Sequence, residues 1–316
     1  MKRVLSVALV GGLAAAAYAQ QKVDPAVPGY AKTSGVSGNI NSVGSDTMNN
    51  MMTLWAESFT KMYPNIKVQV EGKGSSTAPA ALIAGTAQFG PMSRAMRSTE
   101  IDQFEAKYGY KPTQIRTSYD ALAVYVNKDN PIDKLTLAQV DSAFSKTRRR
   151  GGKAVATWGD LGLTGDWAGK PISLYGRNSA SGTYGFFKEH TLKNGDYKDG
   201  VKEQPGSASV VQGVTEDRFG LGYSGIGYRT SGVKVVPLAE TTAFSDGNYA
   251  DVVAGKYPLN RFLYIYINKA PGKPLDPLVK EFTRFILSKE GQEVVVKDGY
   301  LPLSPEIAKQ ELAKVQ

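Results

Sequence analysis

Apolar residues recur at three- and four-residue spacing at Met48, Met51, Met52, Trp55, Phe59 and Met62, which predicts an amphipathic helix that Pro64 ends. The Met and aromatic stripe reads as core packing. A strand-like run over 39–43 precedes this helix, and an alternating strand over 66–70 follows it. An Ala-rich helix over 77–84 and a short strand over 87–90, stopped at Pro91, complete the series. Strand, Gly/Ser turn and helix, twice over, predict a parallel sheet with ligands at the carboxyl ends of its strands.

Two runs, 122–127 and 261–268, are the most continuous hydrophobic strands, with Ala-Val-Tyr-Val and Phe-Leu-Tyr-Ile-Tyr-Ile at their centres. They flank a middle segment with its own predicted helices (136–144, 182–190, 207–215) and strands (172–175, 220–224, 233–237). A long helix over 276–287 returns after the second run. The simplest architecture is α/β and two-lobed, each lobe a mixed, mainly parallel sheet flanked by helices, joined by two crossing strands. Lobe 1 takes residues 39–121 and 260–316, and lobe 2 takes 122–259. A cleft between lobes is a preferred place for a ligand.

Residues 20–38, with Pro25, Pro28 and several Gly and Ser, read as a flexible lead-in. Before them stands a targeting signal: Lys2-Arg3, an apolar and small-residue stretch over 4–16, and Ala17-Tyr18-Ala19 as a small-x-small cleavage site. Cleavage before Gln20 is expected, leaving a periplasmic chain. No other apolar run approaches the ~20 residues of a membrane span. The sequence has no cysteine, so disulfides and lipid attachment at a cysteine are both excluded. The formal net charge is +9, which loss of Lys2 and Arg3 lowers by two. That balance favours anionic partners without choosing among them.

Three junctions share one design: Gly44-Ser45-Asp46-Thr47, Gly72-Lys73-Gly74-Ser75-Ser76-Thr77 and Arg177-Asn178-Ser179-Ala180-Ser181-Gly182-Thr183. Each follows a strand-like run and opens a helix-like run. Such a junction exposes backbone N–H groups and hydroxyls at the positive end of a helix dipole. Together with a fixed guanidinium, Arg177, they describe a receptor for a small tetrahedral oxyanion, because a planar fork of donors fits two of its oxygens. Ser181 and Thr183 would donate hydroxyls, and Gly182 would let the backbone come close. A plain helix cap at Ser181 uses the same geometry.

In these motifs the chain resembles the periplasmic phosphate-binding proteins of the Pst-type ABC importers, of the type II periplasmic binding protein superfamily. The likeness runs from about Ile40 to the end. Gly-Ser-Asp-Thr at 44–47 stands at the family's opening loop, Gly74-Ser75-Ser76 at its Gly-Ser-Ser loop, and Arg177-x-x-x-Ser181-Gly182-Thr183 at its Arg-x-x-x-Ser-Gly-Thr. Phe89-Gly90-Pro91-Met92-Ser93-Arg94 stands where the family has Phe-Gly-x-Ser-Asp. The resemblance implies a receptor that closes on inorganic phosphate and hands it to a membrane permease. It implies a phosphate set of Ser45, Asp46, Thr47, Ser75, Ser76, Ser93, Arg94, Arg177, Ser181, Gly182 and Thr183. No catalytic residue, metal, cofactor or nucleic-acid partner is expected, and a monomer is.

The departure at Ser93-Arg94 removes the family's carboxylate that accepts the proton on phosphate. The expectation is that Asp46 takes over the acceptor role and that Arg94 adds charge or pairs with Asp46. Alternatives are a receptor for sulfate, molybdate or a phosphate ester, or a phosphatase. The run Arg148-Arg149-Arg150-Gly151-Gly152-Lys153 reads as a solvated loop of the middle segment. His190, the single histidine, reads as structural or exposed.

Overall fold

The computed structural model describes residues 21–316; the leader and its cleavage site lie outside the described residues. Eleven strands and ten helices follow one another in them. Lobe 1 begins with β1 (Gly38–Val43), α1 (Asn49–Met62), β2 (Ile66–Glu71), α2 (Thr77–Ala84), β3 (Gly90–Met92) and α3 (Ser98–Tyr108). β4 (Thr113–Asn127) then crosses into lobe 2, which holds β5 (Leu135–Thr136), α4 (Leu137–Phe144), β6 (Ser173–Arg177) and α5 (Gly182–His190). It continues through β7 (Lys202–Gln204), α6 (Ser207–Glu216), β8 (Gly220–Gly225), β9 (Val233–Val235), β10 (Leu238–Ala239) and α7 (Tyr249–Val253). β11 (Asn260–Ile267) crosses back, and α8 (Pro277–Leu287), α9 (Lys289–Lys297) and α10 (Pro305–Ala313) complete lobe 1.

The strands are parallel away from the crossing and antiparallel at it. β1 pairs with β2, and β6 with both β7 and β8, all in parallel. β4 pairs antiparallel with β11 along its first half and with β8 and β9 along its second half. One strand is thereby shared by both lobes, and its last eleven residues are all buried. Its apolar run Ala121-Leu122-Ala123-Val124-Tyr125-Val126 is continuous, as burial on both faces requires.

Each lobe has an aromatic centre. In lobe 1 the rings of Phe59, Phe89, Phe282 and Phe285 meet with centroids 5.0–5.5 Å apart. α8 presents two of these rings; Asp276 accepts from the N–H groups of Leu278 and Val279, and Pro277 occupies the first helical position. In lobe 2, Phe187 of α5 stacks on Tyr223 of β8 at 3.8 Å, and Phe144 of α4 packs edge-on to both. This second cluster fixes α5 on the sheet. Truncating such a buried ring costs about 3–5 kcal/mol.

Two expectations are corrected. The lead-in is a bound strap rather than a free one. Val27 is buried, the Lys289 N–H donates to the Pro28 carbonyl at 2.9 Å, and the Tyr30 hydroxyl donates to Glu281 at 2.9 Å beside Tyr63. Its prolines and glycines obscure a strap that bonds through backbone and one aromatic anchor. The basic run is likewise only partly solvated. Arg150 folds inward and donates to the carbonyls of His190 and Thr191 at the end of α5 and to Glu240. A cation there complements the negative end of the helix.

Candidate anion-binding site

β1 ends at Val43, and the chain turns through Gly44-Ser45 into a short 3₁₀ turn, Asp46–Met48, before α1. The turn is pinned from both sides: the Ser45 N–H donates to Pro91 O at 2.8 Å, and Gly74 N–H to Gly44 O at 2.7 Å. From below, the hydroxyls of Tyr228 and Tyr300 donate to the Thr47 carbonyl at 3.3 and 3.1 Å. The second junction starts α2, and the third junction joins β6 to α5. All three converge between the lobes, as the sequence pattern requires.

The convergence is a buried cluster of alcohols. Ser45 Oγ donates to Ser93 Oγ at 3.0 Å, and Ser75 Oγ accepts the Ser93 N–H at 3.0 Å. Across the cleft, Thr47 Oγ1 lies 2.9 Å from Thr183 Oγ1, and Thr183 Oγ1 donates to Ser93 Oγ at 3.4 Å. Ser45, Thr47, Ser75, Ser93 and Thr183 are all buried. Burying that many hydroxyls is costly unless each has a partner, so the cluster is built for polar company.

Gly182 and Gly74 permit the approach. A Cβ on Gly182 would stand 2.3 Å from Ser75 Oγ and 2.7 Å from Ser93 Oγ. One on Gly74 would stand 2.6 Å from the Ala180 carbonyl oxygen, and its φ of +111° disfavours any side chain.

Arg177 ends β6, 2% exposed. Nη1 donates to Ser207 Oγ at 2.7 Å and Nη2 to Pro205 O at 3.1 Å, while Asp46 Oδ1 lies 3.2 Å from Nη2. Its Nε–H is buried and makes no hydrogen bond with any described residue. Burial pulls this guanidinium below its ordinary pKa, and Asp46 opposes the pull. Arginine nonetheless stays protonated in proteins. Asp46 Oδ1 also accepts the Ser207 N–H at 2.7 Å, so the carboxylate from lobe 1 sits on the N-terminus of α6 in lobe 2.

Nine of the sequence-predicted residues therefore meet: Ser45, Asp46, Thr47, Ser75, Ser93, Arg177, Ser181, Gly182 and Thr183. The Ser181 hydroxyl turns onto its own helix, accepting the N–H groups of Thr183 and Tyr184 at 3.1 and 3.3 Å. Ser76 stands at the rim, where its hydroxyl and N–H both donate to Ala180 O. Arg94 does not pair with Asp46. Its two terminal nitrogens donate to Glu100 at 2.7 and 2.6 Å, because the α3 N-terminus brings that carboxylate directly under it. The same arginine holds the Glu100 carboxyl below its ordinary pKa against the effect of burial.

Three residues escaped the sequence reading. Arg261 opens β11 opposite Asp120 of β4 in register. Its Nε donates to Asp120 Oδ2 at 2.8 Å, Nη1 to Ser93 O at 2.8 Å and Nη2 to Thr183 Oγ1 at 3.0 Å. It is a second buried guanidinium, ion-paired inside the hydroxyl cluster. The sequence signal was present: a lone Arg and a lone Asp, each inside a long apolar strand. Ser207, at the start of α6, is the third; the predicted helix over 207–215 begins there, but no local pattern assigns its hydroxyl to Arg177. The assembled site holds two guanidinium groups, two carboxylates, a ring of hydroxyls and the positive ends of α5 and α6. It can hold a small anion that both accepts and donates hydrogen bonds.

The chain is also similar to known proteins. Residues 29–290 match the family described as the PBP superfamily domain. The phosphate-binding protein PstS of Pseudomonas aeruginosa is 56% identical over 319 residues, covering 100% of this chain and 99% of its own length. In fold, the chain is similar to a phosphate ABC transporter substrate-binding protein from Clostridium perfringens solved with bound phosphate. The TM-score is 0.71 at 22% identity, over 84% of this chain and all of the other. An ABC-type phosphate transport receptor from Vibrio cholerae gives a TM-score of 0.66 at 22% identity, with the same coverage.

Proposed function

The chain belongs to the PBP superfamily, and from that premise we propose the full reading: it is a receptor that binds inorganic phosphate between two lobes and delivers it to an ABC permease. The observation that carries this reading is the buried meeting of Thr47 from one lobe with Thr183 from the other, beside Arg177. Phosphate brings acceptor oxygens for the hydroxyls, for the Nε–H of Arg177 and for the helix N-termini. It also keeps a hydrogen near neutral pH, and that O–H donates to Asp46, an acceptor when ionised. Sulfate has no such proton and meets the carboxylate as a like charge. Arg261 reaches the same cluster and supplies a second cation.

Lobe closure follows from the contacts that residues of the two lobes share in the cleft. A ligand held by both lobes gains contacts in the closed form that the open form lacks, and so it shifts the population toward closure. β4, shared by both lobes, and the chain entering β11 beside it are the elements that flex. With lobe 1 taken as 39–121 and 260–316 and lobe 2 as 122–259, the proposed hinge is at residues 120–122 and 259–261. The apolar leader at the start of the sequence supports export to the periplasm, where the permease is met.

The reading is of a binder and not an enzyme. The hydroxyls are hydrogen-bonded among themselves and to backbone, and His190, the one imidazole, does not bond to any of them. Calorimetric titration with phosphate, arsenate and sulfate tests the function. Phosphate and arsenate are expected to bind at one site per chain, and sulfate far more weakly. Absence of a phosphate heat at millimolar ligand, or turnover of p-nitrophenyl phosphate, would overturn it.

A further inference from the structure

A cavity of about 460 Å³ lies beside the hydroxyl cluster, between the loop that follows β3 and helix α5. Arg261 is the partition. Its Nη2 reaches Thr183 on one side, while its guanidinium carbon sits 5.2 Å over the Phe186 ring, in the cavity wall, on the other. The volume falls in the range of small-molecule sites. It is several times larger than a single inorganic oxyanion needs.

The walls combine cations and flat rings. Arg97, exposed at the start of α3, and Lys188 of α5 bring positive charge from opposite lobes, against the single carboxylate of Glu189. Lys188 is only loosely engaged, 3.5 Å from Asp196. His190 and Phe186 lie one turn apart on α5 with ring centroids 4.1 Å apart, and Tyr184 flanks them. Partial burial, opposed by Glu189 and reinforced by Arg261 and Arg150, holds the His190 pKa below its ordinary value, and its ring adds one more aromatic face.

Gly185 is the second observation. It sits inside α5, where glycine costs about 1 kcal/mol relative to alanine. Packing does not demand it: a Cβ there would meet Arg94 Cδ at 3.5 Å and Arg97 Nη2 at 3.7 Å, ordinary contact distances. Its φ is not in the left-handed region. Leaving the side chain out makes Gly185 part of the cavity wall, with the Arg94 and Arg97 side chains at contact distance from where a Cβ would stand.

We propose that this cavity is a second ligand site, distinct from the phosphate site, for a planar ring that carries one phosphate or carboxylate group. The ring lies along the cavity face of α5 beside Gly185, against the Arg97 guanidinium and the aromatic side chains of the wall, and the anionic group meets Arg97 and Lys188. Stacking of arginine and aromatic side chains on a flat ring supplies affinity, and the cations supply orientation. Because the walls come from both lobes, the ligand shares the closed form with phosphate. Binding at either site then strengthens binding at the other by the same factor.

The probe is adenosine 5′-monophosphate, titrated calorimetrically into full-length mature protein already saturated with inorganic phosphate. Saturation keeps the probe out of the hydroxyl cluster, and the phosphate titration of the same sample judges the primary function separately. Adenosine and ribose 5-phosphate test the two halves of the ligand. Saturable binding of the nucleotide is expected, with each fragment at least about tenfold weaker, a difference of about 1.4 kcal/mol. Gly185→Leu pushes its own side chain and that of Arg97 into the cavity and favours the helix; it is expected to weaken the nucleotide at least about tenfold and leave the phosphate Kd within about twofold. Arg97→Glu, at an exposed position, is expected to do the same. Three results each overturn the proposal: no saturable nucleotide heat up to about 1 mM, ribose 5-phosphate binding as tightly as the nucleotide, or unchanged nucleotide binding in Gly185→Leu.

Discussion

Gly182→Ala probes the interlobe contact with one methyl group. The added Cβ would lie 2.3 Å from Ser75 Oγ, 2.8 Å from Ser75 Cβ and 2.7 Å from Ser93 Oγ. Ordinary contact begins near 3.4 Å, so the lobes must separate by about 1 Å or the serines must leave their rotamers. Overpacking of this size costs about 1–3 kcal/mol. The cost falls on the closed form alone, because Gly182 meets Ser75 and Ser93 only across the cleft. It therefore appears as a phosphate Kd raised by about 5- to 150-fold. Stability of the ligand-free protein moves the other way, if at all. Gly182 is the first residue of α5, where alanine is the better helix former by up to about 1 kcal/mol. Calorimetric titration gives the Kd, and thermal unfolding without ligand gives the Tm. A Kd within twofold of the parent refutes the argument. So does a collapse of the ligand-free Tm, because it would mean that the contact holds the fold together rather than the closed cleft.

Asp46→Asn removes the carboxylate acceptor and leaves the Arg177 charge uncompensated; phosphate is expected to bind about tenfold more weakly and sulfate more tightly, and an unchanged preference in competition titrations would defeat the acceptor role. Arg261→Met leaves Asp120 buried without its partner, so a loss of about 3–5 kcal/mol is expected in denaturant unfolding. Adding Asp120→Leu is expected to restore most of the stability but not phosphate affinity; recovery of both would make the pair purely structural. Asp298 has its pKa raised to about 6 by burial, with Oδ1 bonded to Asn50 Nδ2 and Oδ2 unpartnered among the described residues. A carboxyl whose folded pKa exceeds its unfolded value stabilises fully below pH ~4, and that contribution is lost as pH rises through about 6. Asp298→Asn is therefore expected to raise the Tm at pH 7 and to flatten its pH dependence between ~4 and ~6; an equally steep profile in the variant would rule this out.

Much of this architecture was legible in the chain. The Met and aromatic stripe of α1, the two crossing strands and the three Gly/hydroxyl junctions each carry a local pattern, and local patterns survive folding. What stayed hidden depends on pairs distant in sequence. Arg261 and Asp120 meet only because β11 and β4 align them, and neither strand reveals its register alone. Arg94 looked like a candidate partner for Asp46, yet Glu100, six residues on, takes it through the helix start. Ser207 opens the predicted helix over 207–215, but nothing local marks its hydroxyl as the partner of Arg177, thirty residues before it. The strap over 21–37 uses backbone carbonyls and Tyr30, and its prolines resemble a linker's. Arg150 was read by charge, whereas its position was set by two carbonyls at the end of α5.

The strap before β1 and the last helix, α10, both fasten to lobe 1: the strap through Val27, Pro28 and Tyr30, and α10 through Glu311 to Arg116. Lobe 2 is threaded entirely from within the chain. A fluorescent fusion or a surface linkage at either terminus would thus load only one half of the molecule, and the other half would keep its full swing. A force applied between the two termini would pull on lobe 1 and spare the hinge.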